Sequence, residues 1–373
     1  MTSSIVKLGN VATYYNGYAF KPSDRSPEGR RIVRIQDLTG SSYETNYFSG
    51  QLPDKFAIQQ GDVLISWSAS LGVYVWNDEP AWLNQHIFKV GFNKLQVNKS
   101  FFVHQIDYLL KASSDLAHGA TMRHLTKNTF DSLPFRYPDQ TEQLHIANVL
   151  DKVDLLLHSC SNVLEKLDSL IKSRFIEMFG PNEGSVRLST VCTLYNGDRG
   201  KNYPSGKDRV EEGIPFVNAG DLVDGRISFE KMDYITEERY KLLSGGKIER
   251  GDILYCLRGT LGKCAITDFS GGTIASSMMI IRPNQNKVLP AYLYQVLASP
   301  LVEKQLQSSR NGSTQPNLSA KSVGNYVIPL PHINRQREFT DFVARIDKLR
   351  FDVQQQIEKL ETLKKSLMQE YFG

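Results

Sequence analysis

The chain contains two copies of one sequence pattern, and this duplication constrains its fold more than any other feature. The tripeptide Tyr-Asn-Gly at 15–17 recurs at 195–197, and GDVLISWSASLG at 61–72 recurs as GDILYCLRGTLG at 251–262. The second copy is slightly longer, which indicates small insertions of the kind that usually lie in surface loops. Because the repeat is far longer than the roughly 20–50 residues of a solenoid unit, each copy is predicted to form a domain of its own.

Each copy is predicted to have two parts. The first part mixes strands, such as 89–92 and 278–283, with short helices at 101–113 and 290–300. The second part is a long helix whose apolar residues follow the 3-4 spacing of a coiled-coil seam, with Gln356 as one polar seam position. The predicted seam consists of Leu150, Val153, Leu157, Leu164, Leu167 and Ile171 in the first helix, and of Ile346, Leu349, Val353, Leu360, Leu363 and Leu367 in the second.

The predicted fold class is α+β, with two tandem pseudo-repeated α/β domains that are each followed by a long helix. A narrow apolar seam on an otherwise polar helix calls for a helical partner, and the two helices are the obvious partners for each other. The alternative, in which each helix packs only onto its own domain, stays open at this point. The predicted boundaries are 1–140 for the first domain, 141–180 for its helix, 181–333 for the second domain and 334–373 for the last helix.

Composition excludes several classes of protein. Hydrophobic residues make up 40% of the 373 residues and charged residues 23%, which excludes wholesale disorder. The net charge of +4 permits a nucleic-acid partner without requiring one. The four cysteines form no C-x-x-C pair, so neither a disulfide framework nor a metal site is expected, and Cys256 and Cys264 are interpreted as strand-core residues. The chain has no apolar N-terminal stretch and no apolar run of about 18 residues, which predicts a cytoplasmic protein without a membrane span.

The sequence lacks the common catalytic motifs. It contains no G-x-x-x-x-G-K-[ST], no G-x-G-x-x-G, no H-E-x-x-H and no G-x-S-x-G, and its seven histidines are scattered. Together with the duplication and the long helices, this favours a binding protein over an enzyme. Two alternatives remain: an enzyme whose motif is unfamiliar, and a coiled-coil scaffold whose α/β domains bind protein.

Basic residues recur in loops at similar places in the two copies. Arg and Lys can neutralise phosphates, and Arg, Asn and Gln can read base edges in the major groove. The bland alternative is that these are ordinary solvated loops. The residues predicted to bind DNA are Lys21, Arg25, Arg30, Arg31, Arg34, Arg123, His124 and Lys127 in the first copy, and Arg199, Lys201, Lys207, Arg209, Arg258, Arg310, Gln315, Asn317 and Lys321 in the second.

Two segments of the second copy resemble a known family. GDILYCLRGTLGKCAI at 251–266 and NGSTQPNLS at 311–319 are similar to motifs of the specificity (S) subunits of type I restriction-modification enzymes, and the resemblance extends over essentially the whole chain. The first copy departs from both motifs, because Ala69-Ser70 stands where Gly259-Thr260 stands and AHGATMRHLT replaces the second segment. Such divergence fits two domains that read different sequences.

The resemblance implies a complete functional arrangement. Each α/β domain would be a target recognition domain that binds one half-site of duplex DNA. The two long helices would pack antiparallel as a spacer that sets the gap between the half-sites. Two modification subunits that bind S-adenosylmethionine and methylate adenine, and restriction subunits that bind ATP and cut DNA, would assemble with the chain. The chain itself would perform no catalysis and bind no cofactor.

Overall fold

The computed structural model describes residues 4–116, 126–180, 184–309 and 317–373. It divides into two compact units. Unit 1 comprises Met1–Asn162 and Gln354–Gly373, and unit 2 comprises Val163–Val353. Each unit therefore holds one copy's α/β part, here called the recognition part, and one half of each long helix. The predicted domain boundaries follow sequence order instead and stay a prediction. Across the described ranges, no helix is long and apolar enough to cross a membrane.

The recognition part of unit 1 contains two four-stranded sheets. Their strand orders are β2-β9-β6-β7, all antiparallel, and β4-β3-β8-β5, in which β3 and β8 run parallel. A separate pair joins β1 to β10. The strands are β1 Ser4–Lys7, β2 Thr13–Asn16, β3 Arg30–Val33, β4 Asn46–Phe48, β5 Ala57–Ile58, β6 Val63–Ser66, β7 Gly72–Val75, β8 Ala81–Leu83, β9 Ile87–Gly91 and β10 Pro134–Tyr137, and the helices are α1 Ile35–Leu38, α2 Lys99–Leu116, α3 Lys127–Asp131 and the long α4 Gln140–Met178.

Unit 2 repeats this arrangement. Its sheets are β12-β21-β18-β19 and β13-β17-β14-β20, with β14 and β20 parallel, and β11 pairs with β22. The hairpin β15-β16 is an addition of this unit. The strands are β11 Ser185–Arg187, β12 Cys192–Asn196, β13 Arg209–Val210, β14 Ile214–Val217, β15 Leu222–Val223, β16 Arg226–Ile227, β17 Asp233–Ile235, β18 Ile253–Cys256, β19 Cys264–Ile266, β20 Thr273–Ile274, β21 Met278–Pro283 and β22 Val327–Pro329, and the helices are α5 Glu237–Leu242, α6 Pro290–Leu297, α7 Pro300–Ser309, α8 Ala320–Gly324 and the long α9 Ile333–Phe372.

The duplicated strands β6 and β18 lie inside their sheets and are buried on both faces. In β6, Val63 and Ile65 contact one apolar cluster while Leu64 contacts another. In β18, Tyr255 faces one cluster and Cys256 the other. A strand covered on both faces reads as a continuous apolar run rather than an alternating one. This explains why GDVLISW and GDILYCL are so similar: both encode a central strand that follows a Gly-Asp turn.

The two long helices pair antiparallel in each unit, as predicted. In unit 1, Lys364 Nζ of α9 lies 2.5 Å from Asp154 Oδ1 of α4. In unit 2, Arg350 of α9 pairs with Asp168 of α4. From Asp154 to Asp168 the residue number in α4 rises, while that of the partner in α9 falls from Lys364 to Arg350. This is the pattern of an antiparallel pair.

Each long helix also ends in the core of the other copy. Phe179, just after α4, packs against Tyr292 and Phe339 with ring centroids 5.2 and 5.4 Å apart, inside unit 2. Phe372 at the end of α9 packs against Phe101 at 5.6 Å, inside unit 1. The alternative in which each helix packs only onto its own domain is therefore wrong. The repeated Phe-Gly that closes both copies is an anchor for the opposite copy.

The seam of α9 differs from its predicted course at two positions. Leu349 is 51% exposed and Leu363 is 46% exposed, so placing these two leucines in the seam was wrong, and Gln356 is exposed as well. The less exposed positions include Arg350, Ile357 and Lys364, one residue later in each case. Arg and Lys can lie along an apolar surface with their stems while their charged heads reach outward, here to Asp168 and Asp154. The predicted seam residues of α4 and the remaining ones of α9 lie along the less exposed line, namely Leu150, Val153, Leu157, Leu164, Leu167, Ile171, Ile346, Val353, Leu360 and Leu367.

Candidate nucleic-acid interface

Unit 2 contains a polar cleft of about 700 Å³ at the edge of its first sheet. Four pieces of chain line the cleft: the loop after β12, the pair Ser244 and Gly245 after α5, the turn after β18 and the segment that leads into α8. Arg199, Arg258 and Asn317, three of the residues predicted to bind DNA, lie in this lining. The fold therefore brings together predicted residues that are far apart in the sequence.

The backbone next to Arg258 is fixed by hydrogen bonds of Leu257. The Leu257 N–H donates to the Ser277 carbonyl at 2.9 Å, and the Leu318 N–H donates to the Leu257 carbonyl at 2.9 Å. Gly259 turns the chain with a φ of +72°, a conformation that glycine adopts without steric cost. The Arg258 side chain is exposed. The exposed side chain of Arg258 thus starts from a hydrogen-bonded stretch of backbone.

The acidic residue of the cleft, Asp198, is already engaged. Its carboxylate accepts hydrogen bonds from Ser244 Oγ at 2.6 Å and from the Gly245 N–H at 2.9 Å. Arg199 makes one long contact, from Nη2 to the Ser276 carbonyl at 3.4 Å. Two arginines against one carboxylate give the cleft lining a net positive charge, which favours an anionic ligand.

A second carboxylate anchors the loop that carries Arg199. Hydrogen bonds from Ser205, through Oγ at 2.6 Å and through its N–H at 2.8 Å, lower the pKa of Asp208 to about 2. Arg239 adds a contact to the same carboxylate at 3.0 Å and also reaches the Lys201 carbonyl at 3.5 Å. The loop is therefore tied to α5 rather than free.

The corresponding place in unit 1 has different chemistry. Ser68 stands where unit 2 has Arg258, and Trp67 stands where it has Leu257. The rings of Trp67 and His86 are 5.4 Å apart, and Gln85 Nε2 lies 3.1 Å from His86 Nε2. Sequence reasoning missed Trp67, Gln85 and His86, although the run of polar and aromatic residues between two predicted strands was a signal.

Five of the predicted residues are held by their own unit. Arg30 stacks over Trp82 at 4.4 Å, and Arg31 contacts Asp78 at 3.0 Å. Arg34 donates to the Glu44 carbonyl at 2.8 Å. Arg209 pairs with Asp233 at 2.5 Å, and Asn317 forms a backbone bridge with Arg258. These contacts give the first four side chains a structural role in holding loops onto sheets.

The remaining predicted residues are either exposed or outside the described residues. The exposed ones are Lys21, Arg25, Lys127, Arg199, Lys201, Lys207, Arg258 and Lys321. Arg123, His124, Arg310 and Gln315 lie outside the described residues. Whether any of them contacts DNA stays a prediction.

The cysteine and metal expectations can be compared with the described part of the chain. Burial raises the pKa of Cys256 to about 11 and that of Cys264 to about 12, so both thiols stay protonated at neutral pH. Both lie in buried clusters, as the strand-core interpretation expects. Within the described ranges, no group of three or more His, Cys, Asp or Glu side chains could hold a metal ion.

The two units share one α/β arrangement and one pair of long helices, and unit 2 carries a polar cleft lined by two arginines. The family model for the type I restriction modification DNA specificity domain matches residues 2–167 and 183–362. The chain belongs to this family, and the resemblance seen in its motifs is confirmed.

Known relatives agree with this assignment. The EcoBI specificity subunit of Escherichia coli is 25% identical, over 92% of this chain and 78% of that protein. The MjaVIII specificity subunit of Methanocaldococcus jannaschii is 22% identical, over 98% of this chain and 90% of that protein. The solved S subunit from M. genitalium has a TM-score of 0.54 at 18% identity, covering 100% of this chain and 96% of that one. A chain from a solved type I R-M system has a TM-score of 0.63 at 16% identity, covering 99% and 97%. At such identities the structures show that the fold is shared.

Proposed function

We propose that this chain is the DNA sequence-recognition subunit of a type I restriction-modification complex. Each recognition part binds one half-site of a bipartite duplex site. The observation that carries the proposal is that one fold carries different side chains at corresponding points of its two copies: the exposed Arg258 on the cleft of unit 2 and the buried Ser68 in unit 1. Two similar folds with different side chains at corresponding positions are what reading two different half-sites requires.

The paired helices α4 and α9 would set the gap between the half-sites. A helix rises about 1.5 Å per residue, so one heptad adds roughly 10 Å, or about three base pairs of B-DNA. Inserting one heptad into both helices should lengthen the gap and leave each half-site unchanged. An unchanged gap would contradict this part of the proposal.

Modification subunits would dock on an apolar flank of the paired helices. Leu156 and Leu363 in unit 1, and Leu170 and Leu349 in unit 2, are large apolar side chains that are about half exposed. In unit 1 this flank points away from the recognition part. Asp154 of α4 faces that part, since its carboxylate lies 3.9 Å from His104 of α2. Leu156 is two residues further along the helix and therefore points to nearly the opposite side. The recurrence of this flank in both units supports two docked subunits.

The chemistry would belong to those partners. The modification subunits would bind S-adenosylmethionine and methylate adenine, and the restriction subunits would bind ATP and cleave DNA. This chain would contribute sequence recognition and assembly without catalysis, and the complex would act in the cytoplasm, where the DNA of the cell is accessible.

A protein-binding scaffold is the second candidate, and the exposed leucines of α4 and α9 favour it. The two candidates differ in their response to salt. Binding to DNA phosphates releases counterions and weakens steeply as salt rises, whereas an apolar protein contact does not.

The test is to map methylated adenines across the host genome with the gene present and with it deleted. We expect a two-part motif with a constant gap to lose methylation on deletion. If no motif depends on the gene, and the complex captured from the host binds protein without salt-sensitive binding of DNA, the proposal is wrong and the scaffold is favoured.

A further inference from the structure

Several arginines of unit 2 are already paired with carboxylates. Arg209 contacts Asp233, Arg239 contacts Asp208, and Arg282 makes two hydrogen bonds to Asp252 at 2.8 and 2.9 Å. Arg258, in contrast, makes no side-chain hydrogen bond or ion pair with another described residue. An exposed guanidinium without a partner on a cleft wall is available to a ligand.

Comparison of the two copies shows which features of the cleft they share and which differ. Gly259 and its counterpart Ala69 both adopt a positive φ, +72° and +59°, so the backbone at this position of the turn is left-handed in both units. Arg258 and Ser68 immediately precede this turn. The backbone is therefore shared while the side chain differs, which is the expected arrangement for a residue that distinguishes two half-sites.

Arg199 differs between the units in another way. It lies in the segment between β12 and the 3-10 turn Gly206–Asp208, and unit 1 has a shorter segment between β2 and the corresponding turn Pro22–Asp24. The extra length includes the 3-10 turn Gly200–Asn202. Unit 2 thus brings a second guanidinium to the cleft on a loop that is longer than its counterpart in unit 1.

We propose that Arg258 and Arg199 are specificity-determining residues of unit 2 and that they read guanine in its half-site. This inference rests on the proposed function and deepens it. Guanine presents O6 and N7 as neighbouring acceptors in the major groove, and the planar guanidinium fork donates to both. A bidentate contact needs a precise starting point, which the hydrogen bonds of Leu257 supply to Arg258. A lysine would satisfy a phosphate equally well but cannot form this fork.

The test compares variants of the full chain in the complex captured from its host through an affinity tag, using selection from a pool of random duplex DNA. Arg258→Ser introduces the residue that unit 1 carries. We expect its preference for one guanine of the unit 2 half-site to fall about ten- to hundredfold, with the other half-site and the gap unchanged. Arg199→Ala should relax a neighbouring base pair of the same half-site.

Two further variants make the outcome decisive. Arg258→Lys keeps the charge and removes the fork, so it should also lose the guanine preference while the salt dependence of binding stays the same. Arg187→Ser removes an exposed arginine of unit 2 that does not line the cleft, and it should leave the motif intact.

The failures are distinguishable. If Arg258→Ser weakens binding to all sequences equally and selects the wild-type motif, the arginine contacts phosphate and this inference is overturned while the proposed function stands. If the wild-type complex selects no two-part motif, both are overturned.

Discussion

The strands β6 and β18 show how one frame carries two different surfaces. Both are central, both are buried on both faces, and both lead into a turn with a positive φ. Immediately before that turn, unit 1 places Ser68 beside an aromatic and imidazole cluster, and unit 2 places Arg258 beside Arg199. The comparison teaches that the strands keep the same burial in both units, whereas the second residue after each strand differs: Ser68 is buried and Arg258 is exposed. Specificity can therefore diverge between copies without disturbing either core.

The largest expected effect compares two equivalent buried residues near the starts of the long helices. Phe339 of α9 is fully buried against Phe175, Phe179 and Tyr292, and its counterpart in α4 is the buried Ile146. Phe339→Ala should destabilise unit 2 by about 4 kcal/mol and Ile146→Ala should destabilise unit 1 by about 3 kcal/mol. Hydrogen exchange followed separately in each unit measures both values. A loss that spreads equally over both units would contradict the division into two compact units.

The next effect concerns the carboxylate of each Gly-Asp turn. Asp252 is 1% exposed and is held by two hydrogen bonds from Arg282, which raise the pKa of that guanidinium. Its counterpart Asp62 lies 3.6 Å from Lys89 and is more exposed. Asp252→Asn removes a buried carboxylate and leaves the half-buried Arg282 with Glu249 as its remaining ion-pair partner, so it should cost about 2 kcal/mol, whereas Asp62→Asn should cost about 1 kcal/mol or less. Denaturant unfolding compares the two, and equal costs would show that burial does not distinguish them.

The stability of unit 2 at low pH should depend on the ionisation of Asp208. Hydrogen bonds from Ser205 lower its pKa to about 2, so its stabilising contribution is complete above about pH 4 and is lost as the pH falls towards 2. Ser205→Ala removes the largest cause of the lowered pKa and should flatten this part of the pH profile. Unfolding measured from pH 5 to pH 2 checks this. The same slope in the variant and the wild type would rule out the assigned cause.

The smallest effect concerns the ion pairs between the long helices. Lys364 with Asp154 and Arg350 with Asp168 are partly exposed, so each pair should contribute about 0.5 kcal/mol. A double-mutant cycle on each pair, at low and at high salt, measures the coupling. Couplings well above 2 kcal/mol would mean that the ion pairs, rather than the apolar seam, hold the helices together.

The sequence predicted the large features because they repeat. The long helices, predicted to span 141–180 and 334–373, run from Gln140 to Met178 and from Ile333 to Phe372. The predicted seam of α9 was wrong at Leu349 and Leu363 because the 3-4 spacing also fits the line of positions one residue later along the helix. A prediction that counts only apolar residues overlooks the aliphatic stems of Arg350 and Lys364, which lie in that line.

The candidate site was harder to predict. Arg31 and Arg209 resemble Arg258 in the sequence, since all are basic residues near turns. What separates them is a carboxylate brought close by folding, Asp78 for the first and Asp233 for the second. No local pattern reports such a partner. The structural role of those arginines therefore became visible only in the fold.

The central claim is that each unit reads its own half-site independently. Exchanging residues 184–330 for the corresponding segment of another family member, while keeping α4 with Phe179 and the whole of α9, tests it most directly. Mapping methylated adenines in the host should then reveal one changed half-site, with the other half-site and the gap as before. A change in both half-sites, or in neither, would contradict the account.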